Sequence, residues 1–334
     1  MKLNKLFLCV LLPAMLVLSA CGPENKVNPV TPPTPNGGGQ EGGGGSSTNP
    51  PESGITMKVC SFNIRYSNTS DKYPDGTSAA WSARKDAVKK FIEDEKPDLI
   101  GLQEVRKDQS QWFSSTFSAD YAYYDVSRDS STGASVATAG GEGVAVMYRK
   151  DRFDLVLKDF FWLDSKPREL PVKNSDNTYG EWHSNCRRVT VYAELKDKKN
   201  NGAIVWFFPT HYDHKSDDAR RKSADLMVSQ MKALCKESDL KNASSVILHV
   251  GDLNTTSDVL TVLTDNMHYA RLEAPGSDRY TSTFNGFGDS NKIIDHIYYG
   301  GKSVKPVKYW VNRDNYGVLY LSDHFPILFQ WEYK

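Results

Sequence analysis

Polar side chains stand at the ends of six apolar runs in this chain, and their types suit metal-assisted acid–base chemistry. The groups are Asn63, Glu104, His211 with Asp213, Asp252 with Asn254, Asp295, and Asp323 with His324. Carboxylate and amide oxygens are ligands that Mg²⁺ or Mn²⁺ prefers, and no thiolate is offered. Histidines can transfer protons or donate to an oxyanion. Because ligand sites gather at strand ends in α/β folds, the six ends favour one shared site.

Each group taken alone also has an ordinary structural interpretation. Asp323 and His324 directly precede the apolar residues 325–327, where a turn leading into a buried strand would suit the proline. Asn63 could form an Asx turn, and Glu104 could be a solvated strand end. However, all six strand ends carry only Asn, Asp, Glu or His, and this shared chemistry favours a metal-assisted active site over the separate structural interpretations.

The elements that must position these groups are short apolar strands that alternate with a few helices. The predicted strands are MKVCSFNIRY, DLIGLQEV, GVAVMYRK, FDLVLKDFFWL, RRVTVYAEL, GAIVWFFPTHYD, SVILHVGDLN, DHIYYGG and HFPILFQWEY, and the predicted helices are WSARKDAVKKFIEDEK and SDDARRKSADLMVSQMKALCKES. GVAVMYRK and FDLVLKDFFWL are predicted neighbours, and Asn201-Gly202 predicts a hairpin between RRVTVYAEL and GAIVWFFPTHYD. Hairpins mixed with crossover helices favour an α/β (α+β) fold whose sheets are covered by helices.

Residues 1–20 predict a lipoprotein signal peptide, with a positive start and an apolar core too short to span a bilayer. The sequence LSAC ending at Cys21 resembles a bacterial lipobox, which implies lipidation of that cysteine, and a plain secretory signal is the alternative. Residues 21–54 are rich in Pro, Gly and Ser and predict a tether, so the folded domain is predicted at 55–334. The chain is therefore expected to be an envelope lipoprotein, held to the membrane by its lipid, and Gly22 favours the outer membrane or cell surface.

The charge balance argues against extended nucleic-acid binding. The 334 residues include 41 Lys and Arg and 41 Asp and Glu, so the formal net charge is zero. A protein that neutralises many phosphates usually carries a basic excess. The sequence therefore implies no stable nucleic-acid partner, although one phosphate ester still fits a small site. A monomer is expected.

Three cysteines remain beyond the N-terminal segments, namely Cys60, Cys186 and Cys235. Their number is odd, and their wide spacing is unlike that of a zinc site. At most one pair could form a disulfide, and we expect buried free thiols.

The motifs around the polar groups resemble the endonuclease/exonuclease/phosphatase superfamily, which includes DNase I, bacterial sphingomyelinases and inositol-polyphosphate 5-phosphatases. Six motifs occur in the order of that family: SFNIRY, IGLQEV, THYDH, GDLN, IIDHIYY and SDHFP. The segments WSARKDAV, GEGVAV, CRRVTVYAEL and STFNGFG are similar to those of the secreted or lipid-anchored branch in Bacteroidetes-type bacteria. The resemblance implies a DNase I-like, four-layer α/β/β/α sandwich, in which helices flank two packed mixed sheets and the site lies at one end.

The resemblance also implies a metal site that takes Mg²⁺, with Mn²⁺ as a substitute. Glu104 is its expected principal ligand, because a carboxylate holds a hard cation and leaves positions open for water and phosphate. Asn63 is expected to assist through its amide oxygen. Asp323 is expected to join directly or through hydrogen bonds.

Five further residues carry catalytic roles by the same resemblance. Asp252 is expected to orient the attacking water and to deprotonate it, although His324 as the base stays an alternative. Asn254 and His211 are expected to donate hydrogen bonds to phosphoryl oxygens. Asp295 is expected to pair with His324 and to fix the tautomer of its imidazole.

Two more residues are expected to contact the substrate. Arg188 matches the family arginine that contacts phosphate, although the neighbouring Arg187 leaves a one-residue shift of the alignment open. A solvated arginine at a strand edge is the alternative. Residues 127–143 are rich in small side chains and are interpreted as filler, except that Glu142 is expected to face the site. His214 is interpreted as structural or incidental.

Together these features predict a Mg²⁺-dependent phosphoesterase that hydrolyses a phosphodiester or phosphomonoester by attack of water at the metal site. A nuclease, a lipid phosphodiesterase and a phosphatase for small molecules all stay open. A non-catalytic envelope lipoprotein that binds glycans through its tryptophans is the alternative from another class. A glycoside hydrolase could use Glu104 and Asp252 as its acid pair, but it would need no metal and no pair of Asp295 with His324.

Overall fold

Two six-stranded sheets form the framework of residues 54–334, the part of the chain that this computed structural model describes. The strands are β1 Thr56–Asn63, β2 Leu99–Val105, β3 Tyr121–Ser127, β4 Gly143–Arg149, β5 Phe153–Trp162, β6 Val189–Asp197, β7 Ala203–His211, β8 Val246–Asp252, β9 His268–Tyr269, β10 Asp295–Gly300, β11 Val304–Val311 and β12 Ile327–Tyr333. The helices are α1 Trp81–Glu95, α2 Lys107–Thr116, α3 Val136–Ala139, α4 Asp217–Cys235, α5 Thr261–Asn266 and α6 Ala270–Glu273. The first sheet has the strand order β11-β12-β1-β2-β4-β3, and the second has the order β5-β6-β7-β8-β10-β9.

Alternation of side chains along the strands creates the layers. In β1, Val59 joins the core between the sheets, whereas Phe62 packs against the outer helices together with Phe91 of α1. Met227 of α4 covers the outer face of the second sheet in the same way. Gly101 lets the sheets approach closely, because a Cβ there would lie 2.7 Å from Pro209. The predicted α/β/β/α sandwich with mixed sheets is confirmed.

Strand direction brings the polar motifs to one end of the sandwich. β1 and β2 run parallel and end at Asn63 and Val105, while β7 and β8 run parallel in the second sheet. His211 is paired in register with Asp252, and Asp295 is paired with Asp252 from the other side. β12 runs antiparallel to β1, so the residues just before it reach the same end.

The strand pairing agrees with the sequence predictions at one connection and differs from them at another. The hairpin of β6 and β7 is confirmed, and Asn201 and Gly202 both have positive φ angles of 51° and 75°, as its tight turn requires. The prediction that β4 and β5 are neighbours is wrong, because they belong to different sheets. Between them Arg152 forms ion pairs with Asp98, directly before β2 of the first sheet, and with Asp197 of β6 in the second sheet, and the chain crosses there. The strands β3 and β11 and helix α2 were not predicted.

The remaining sequence predictions concern the N-terminal segments, the membrane and the cysteines, and the structure tests only some of them. The signal peptide, the lipidated Cys21 and the tether up to residue 53 lie outside the described residues and stay predictions. No helix within residues 54–334 combines the length and apolar character needed to cross a membrane. Cys60, Cys186 and Cys235 are free thiols as expected, but only Cys60 is fully buried.

Candidate active site

A cleft of about 410 Å³ opens where the strand ends meet. Eight of the ten predicted site residues line it: Glu104, Glu142, Arg188, His211, Asp252, Asn254, Asp323 and His324. Asn63 and Asp295 lie behind this lining and contact it by hydrogen bonds. The cleft also includes residues that the sequence did not single out, among them Arg65, Tyr66, Arg128 and Lys292.

Asp252 lies at the centre of the polar network and is 2% exposed. Its Oδ2 accepts a hydrogen bond from the Asn63 amide at 3.0 Å, and its Oδ1 accepts one from the Asn254 backbone at 2.9 Å. The Nε2 atoms of His211 and His324 lie 3.4 and 3.6 Å from Oδ2. Burial raises the pKa of Asp252 to about 7, although the charge of His324 opposes the shift. Asp252 is therefore a carboxylate held among donors at the cleft wall.

His324 and Asp295 form a buried pair. Nδ1 of the imidazole lies 2.8 Å from Oδ2 of Asp295, and the two residues are 4% and 1% exposed. Burial alone would lower the pKa of His324, but the charges of Asp295 and Asp252 raise it to about 10. The backbone N–H of Asp295 donates to Thr283 Oγ1, and the ring of Phe284 packs 4.8 Å from the imidazole. These contacts leave Nε2 of His324 facing Asp252.

Glu104 is directed into the cleft by an irregularity in β2. The pairing of β2 with β4 shifts register between Leu102 and Val105, and Glu104 has a φ of 62°. A left-handed backbone is costly for a residue with a Cβ, and such strain is typical of functional sites. The carboxylate is fixed by the Asn63 amide, which donates to Oε1 at 3.1 Å, and by the Tyr66 backbone, which donates to Oε2 at 3.1 Å.

Asn63 differs from its expected role as an oxygen ligand. Its Oδ1 accepts a hydrogen bond from the backbone N–H of Arg65 at 3.0 Å, and only an oxygen can accept there. The amide nitrogen therefore faces Glu104 and Asp252 and donates to both. Asn63 joins the carboxylates of the two sheets rather than offering its oxygen beside Glu104.

His211 and Asn254 lie in the cleft as predicted. Burial, together with the charges of Arg188 and Arg128, lowers the pKa of His211 well below its ordinary value, so its imidazole is neutral. Asn254 has a φ of 54°, which turns the chain back after β8, and its amide donates to the carbonyl of Tyr212 at 3.0 Å. Both residues present polar groups to the cleft.

Arg188 is a buried cation without a carboxylate partner. It is 4% exposed, and no carboxylate within residues 54–334 lies within 4 Å of its guanidinium. Its Nη2 donates to Nδ1 of His214 at 2.9 Å, and its Nε has no partner. Arg187 points away and donates to the carbonyl of Pro171 and to Asp129. The solvated alternative for Arg188 is wrong, and Arg187 does not occupy the cleft. His214 lines the cleft and contacts Arg188, in agreement with the structural one of its two interpretations.

The segment 127–143 is a wall of the cleft and not filler. Arg128 and Glu142 stand at its two ends and both line the cleft. Oε1 of Glu142 accepts from Arg128 at 2.8 Å and from Arg106 at 3.3 Å. Glu142 thus faces the site as expected, but it contacts two arginines there. Arg128 was missed because no local pattern connects it to a glutamate fourteen positions later.

Arg84 ties the two halves of the site together from behind. It is fully buried in α1 and donates to the carbonyls of Ile64 at 3.0 Å, Leu321 at 2.6 Å and Ala79 at 2.7 Å. Ile64 directly follows Asn63, and Leu321 lies two residues before Asp323. One side chain therefore fixes the ends of both polypeptide segments that enter the cleft from the first sheet.

Two sets of carboxylates could bind a divalent cation. Asp252, Asp295 and His324 place ligand-type atoms within 4.8 Å of one another. However, both ring nitrogens of His324 face carboxylates there and favour a protonated imidazole, whereas a metal needs an unprotonated nitrogen. Glu104 and Asp323 line the open cleft with carboxylate oxygens, which fit a hard cation better.

Comparison with known proteins places this architecture among phosphate-ester hydrolases. The sequence pattern of the Endonuclease/Exonuclease/phosphatase family matches residues 60–324. An endonuclease/exonuclease/phosphatase from Bacteroides vulgatus is 29% identical, with a TM-score of 0.68, and the match covers 84% of this chain and 100% of that one. A mannosyl-6-phosphatase from Bacteroides thetaiotaomicron is 26% identical, with a TM-score of 0.70, and the match covers 83% of this chain and 100% of that one.

A curated relative is the exoribonuclease subunit Ccr4 of the CCR4-Not complex from Kluyveromyces lactis. It is 25% identical over 203 residues, which are 57% of this chain. The match spans 25% of the length of that relative. Similarity therefore extends to both a phosphatase and a nuclease.

Proposed function

The chain belongs to the endonuclease/exonuclease/phosphatase family, whose members are hydrolases of phosphate esters, and we propose that it is a Mg²⁺-dependent enzyme for small phosphate esters. The observation that carries this proposal is the network, buried except for the half-buried Glu104, in which Asn63 joins Glu104 to Asp252 and Asp295 orients His324. A binding protein has no need to bury two carboxylates and an imidazole together, beside a half-buried third carboxylate, at such a cost in desolvation.

Asp252 is the proposed proton acceptor for the attacking water. Its carboxylate lines the cleft, and hydrogen bonds from Asn63 and the backbone of Asn254 hold both of its oxygens in place. A base must lie within hydrogen-bond reach of the proton that it removes, and a fixed carboxylate at the wall meets that condition for water in the cleft. Asp295 lies behind the cleft lining and is not placed to take this proton.

His324 is the proposed donor to a phosphoryl oxygen. Asp295 binds Nδ1, so the opposite nitrogen, Nε2, faces the cleft network. A charged imidazole at this point stabilises negative charge that moves onto the phosphoryl oxygens. His211 and Arg188 line the same cleft and donate to the remaining oxygens.

Glu104 and Asp323 are the proposed residues that hold Mg²⁺, and Mn²⁺ suits the same oxygens. When bound, the cation withdraws charge from the phosphoryl group and its leaving oxygen. Asn63 keeps Glu104 directed into the cleft, and the strained backbone of Glu104 keeps it from rotating away.

A small ester is favoured over a long nucleic acid for two reasons. The chain carries no net positive charge, although binding along a polynucleotide needs many phosphate contacts. The similar protein from Bacteroides thetaiotaomicron is a phosphatase for a phosphorylated sugar. A nuclease stays the second candidate because of the similarity to Ccr4.

The test is hydrolysis of p-nitrophenyl phosphate and bis(p-nitrophenyl) phosphate by the full chain, with Mg²⁺ and with a chelator. We expect turnover that needs the metal and falls at least about 100-fold in Asp252→Asn. Glu93→Gln, on the exposed face of α1, is the control and should keep full activity. Metal-independent turnover, or full activity of Asp252→Asn, would contradict the proposal.

A further inference from the structure

The floor of the cleft contains a niche between two arginines. Arg128 and Arg188 line it together with Glu104, Glu142 and His211. Its volume is about 10 Å³, which is close to the least space that one water molecule occupies. An oxygen atom of a phosphate group has a similar size.

Arg188 on one side of the niche needs an anion. The guanidinium is buried, donates to the neutral ring of His214, and keeps Nε without a partner. A buried charge without a counter-charge is costly in free energy, because water no longer solvates it. Burial and the neighbouring Arg128 accordingly lower the pKa of Arg188.

Arg128 on the other side is held in position by Glu142. The carboxylate lies 2.8 Å from Arg128 and is shared with Arg106, whose guanidinium packs over the ring of Tyr66. The carbonyl of Arg128 also accepts from the indole of Trp162 at 3.2 Å. Both ends of the residue are therefore fixed before any ligand arrives.

The charges around the niche do not cancel. Arg106, Arg128 and Arg188 stand against two carboxylates, Glu142 and Glu104, and only Glu142 pairs with arginines, namely Arg106 and Arg128. Mg²⁺ held by Glu104, as proposed above, would offset that second carboxylate, so positive charge remains in excess beside the niche. A phosphomonoester carries close to two negative charges at neutral pH, whereas a phosphodiester carries one. Bidentate guanidiniums suit the terminal oxygens that only a monoester exposes in full.

We propose that Arg128 and Arg188 form an arginine clamp that selects a terminal phosphomonoester dianion, and that Glu142 is the positioning residue for Arg128. The inference rests on the proposed phosphoesterase function and names its substrate class. It assigns Arg128 as a determinant of specificity for the reaction.

The first experiment compares the two nitrophenyl esters with the full chain and its Arg128→Met variant. We expect the variant to lose about 10- to 100-fold in kcat/KM for the monoester. The loss in kcat/KM for the diester should stay below about threefold, because the diester carries one negative charge less and depends less on the second arginine. Arg187→Met is the matched control, since this neighbouring arginine pairs with Asp129 outside the cleft. Equal losses on both esters, or a wild-type preference for the diester, would overturn the clamp.

Glu142→Gln tests the positioning role. We expect a smaller loss of the same kind, selective for the monoester. In the double variant Arg128→Met/Glu142→Gln the loss should not exceed that of Arg128→Met alone, because Glu142 acts through the arginine. Additive losses, or a loss that is the same for both esters, would show that Glu142 is merely structural.

A binding measurement separates failure of this inference from failure of the proposed function. Calorimetry with inorganic phosphate and with dimethyl phosphate needs no turnover. The clamp predicts tighter binding of inorganic phosphate, and loss of that preference in Arg128→Met but not in Arg187→Met. If the chain hydrolyses esters but binds the two ligands equally, the clamp is wrong and the phosphoesterase stands. If the preference is seen without turnover, the clamp stands and the proposed reaction fails.

Discussion

Nδ1 of His324 lies 2.8 Å from Oδ2 of Asp295, and only the histidine of this pair reaches the cleft. The carboxylate orients the ring and balances its charge without an opening to solvent. An arrangement of this kind acts on the reaction through the imidazole alone.

The pair makes a direct prediction for Asp295→Asn. The amide keeps the shape of the side chain but removes the charge that stabilises the imidazolium. We expect kcat for the preferred ester to fall about 100- to 10,000-fold while KM changes little. Steady-state kinetics with Mg²⁺ measures both constants.

The matched control is Asp176→Asn. Asp176 forms the same kind of contact with His183, at 3.0 Å, but both side chains are largely exposed on a loop. This variant should retain its kcat. A wild-type kcat in Asp295→Asn would show that the pair has no part in the reaction.

Glu104→Gln is expected to abolish stabilisation by the metal. A ligand that binds only the folded state adds about 2.7 kcal/mol to the free energy of unfolding at 100 times its Kd. Mg²⁺ should therefore raise the melting temperature of the wild type and leave that of Glu104→Gln unchanged. Glu93→Gln should behave like the wild type. If Glu104→Gln keeps the full metal-dependent shift, the metal lies elsewhere, and the cluster of Asp252, Asp295 and His324 becomes the better candidate.

Arg84→Met is expected to destabilise the fold strongly. The substitution leaves the buried carbonyls of Ile64, Leu321 and Ala79 without a donor. Each buried group left without a partner costs about 1–3 kcal/mol, so the free energy of unfolding should fall by at least about 3 kcal/mol. Urea unfolding measures it, with the exposed Arg221→Met as the control. A loss below about 1 kcal/mol would mean that these segments hold themselves in place.

Buried histidines predict a loss of stability in acid. His249 lies between the carbonyl of Phe208 and the hydroxyl of Tyr212, and burial lowers its pKa from 6.5 to about 4. The folded state keeps this ring neutral, whereas the unfolded chain takes up a proton below pH 6.5. Its contribution is therefore complete above pH 6.5 and is lost as the pH falls towards 4, by about 3 kcal/mol.

His249→Gln should flatten this part of the pH profile. Urea unfolding at several pH values between 7 and 4 measures the slope in the variant and the wild type. The exposed His183→Gln is the control and should keep the wild-type slope. Identical slopes in all three proteins would refute the assignment of the acid sensitivity to His249.

The sequence was sufficient for the strands whose polar residues meet at the cleft. The run ILHVGDLN, for example, indicates both where a buried strand ends and that Asp252 stands at that end. The pairing between strands that are distant in the sequence could not be predicted from the local pattern of residues. The short connection between β4 and β5 suggests a hairpin, but Arg152 forms ion pairs with Asp98 directly before β2 and with Asp197 of β6, and the strands separate. Arg128 escaped notice for the same reason, because its partner and its niche exist only after folding.

The orientation of Asn63 shows a similar limit. Its residue type is compatible with a metal ligand, and the sequence predicted one. The backbone N–H of Arg65 determines which end of the amide faces Glu104, and that contact depends on a left-handed turn at Arg65. Local backbone geometry thus decides between two chemical roles for one side chain.

Because β1 pairs with β12, the first sheet and the cleft can be completed only late in the synthesis of the chain. The first strand of the sandwich takes the last one as its neighbour, with Ser61 opposite Ile327. A nascent polypeptide on the ribosome therefore lacks both the edge of the first sheet and the imidazole of His324 until its final segment has been made. The same holds for a chain cut by a protease before residue 324. The polar network of the cleft can therefore be complete only once translation of this domain is finished.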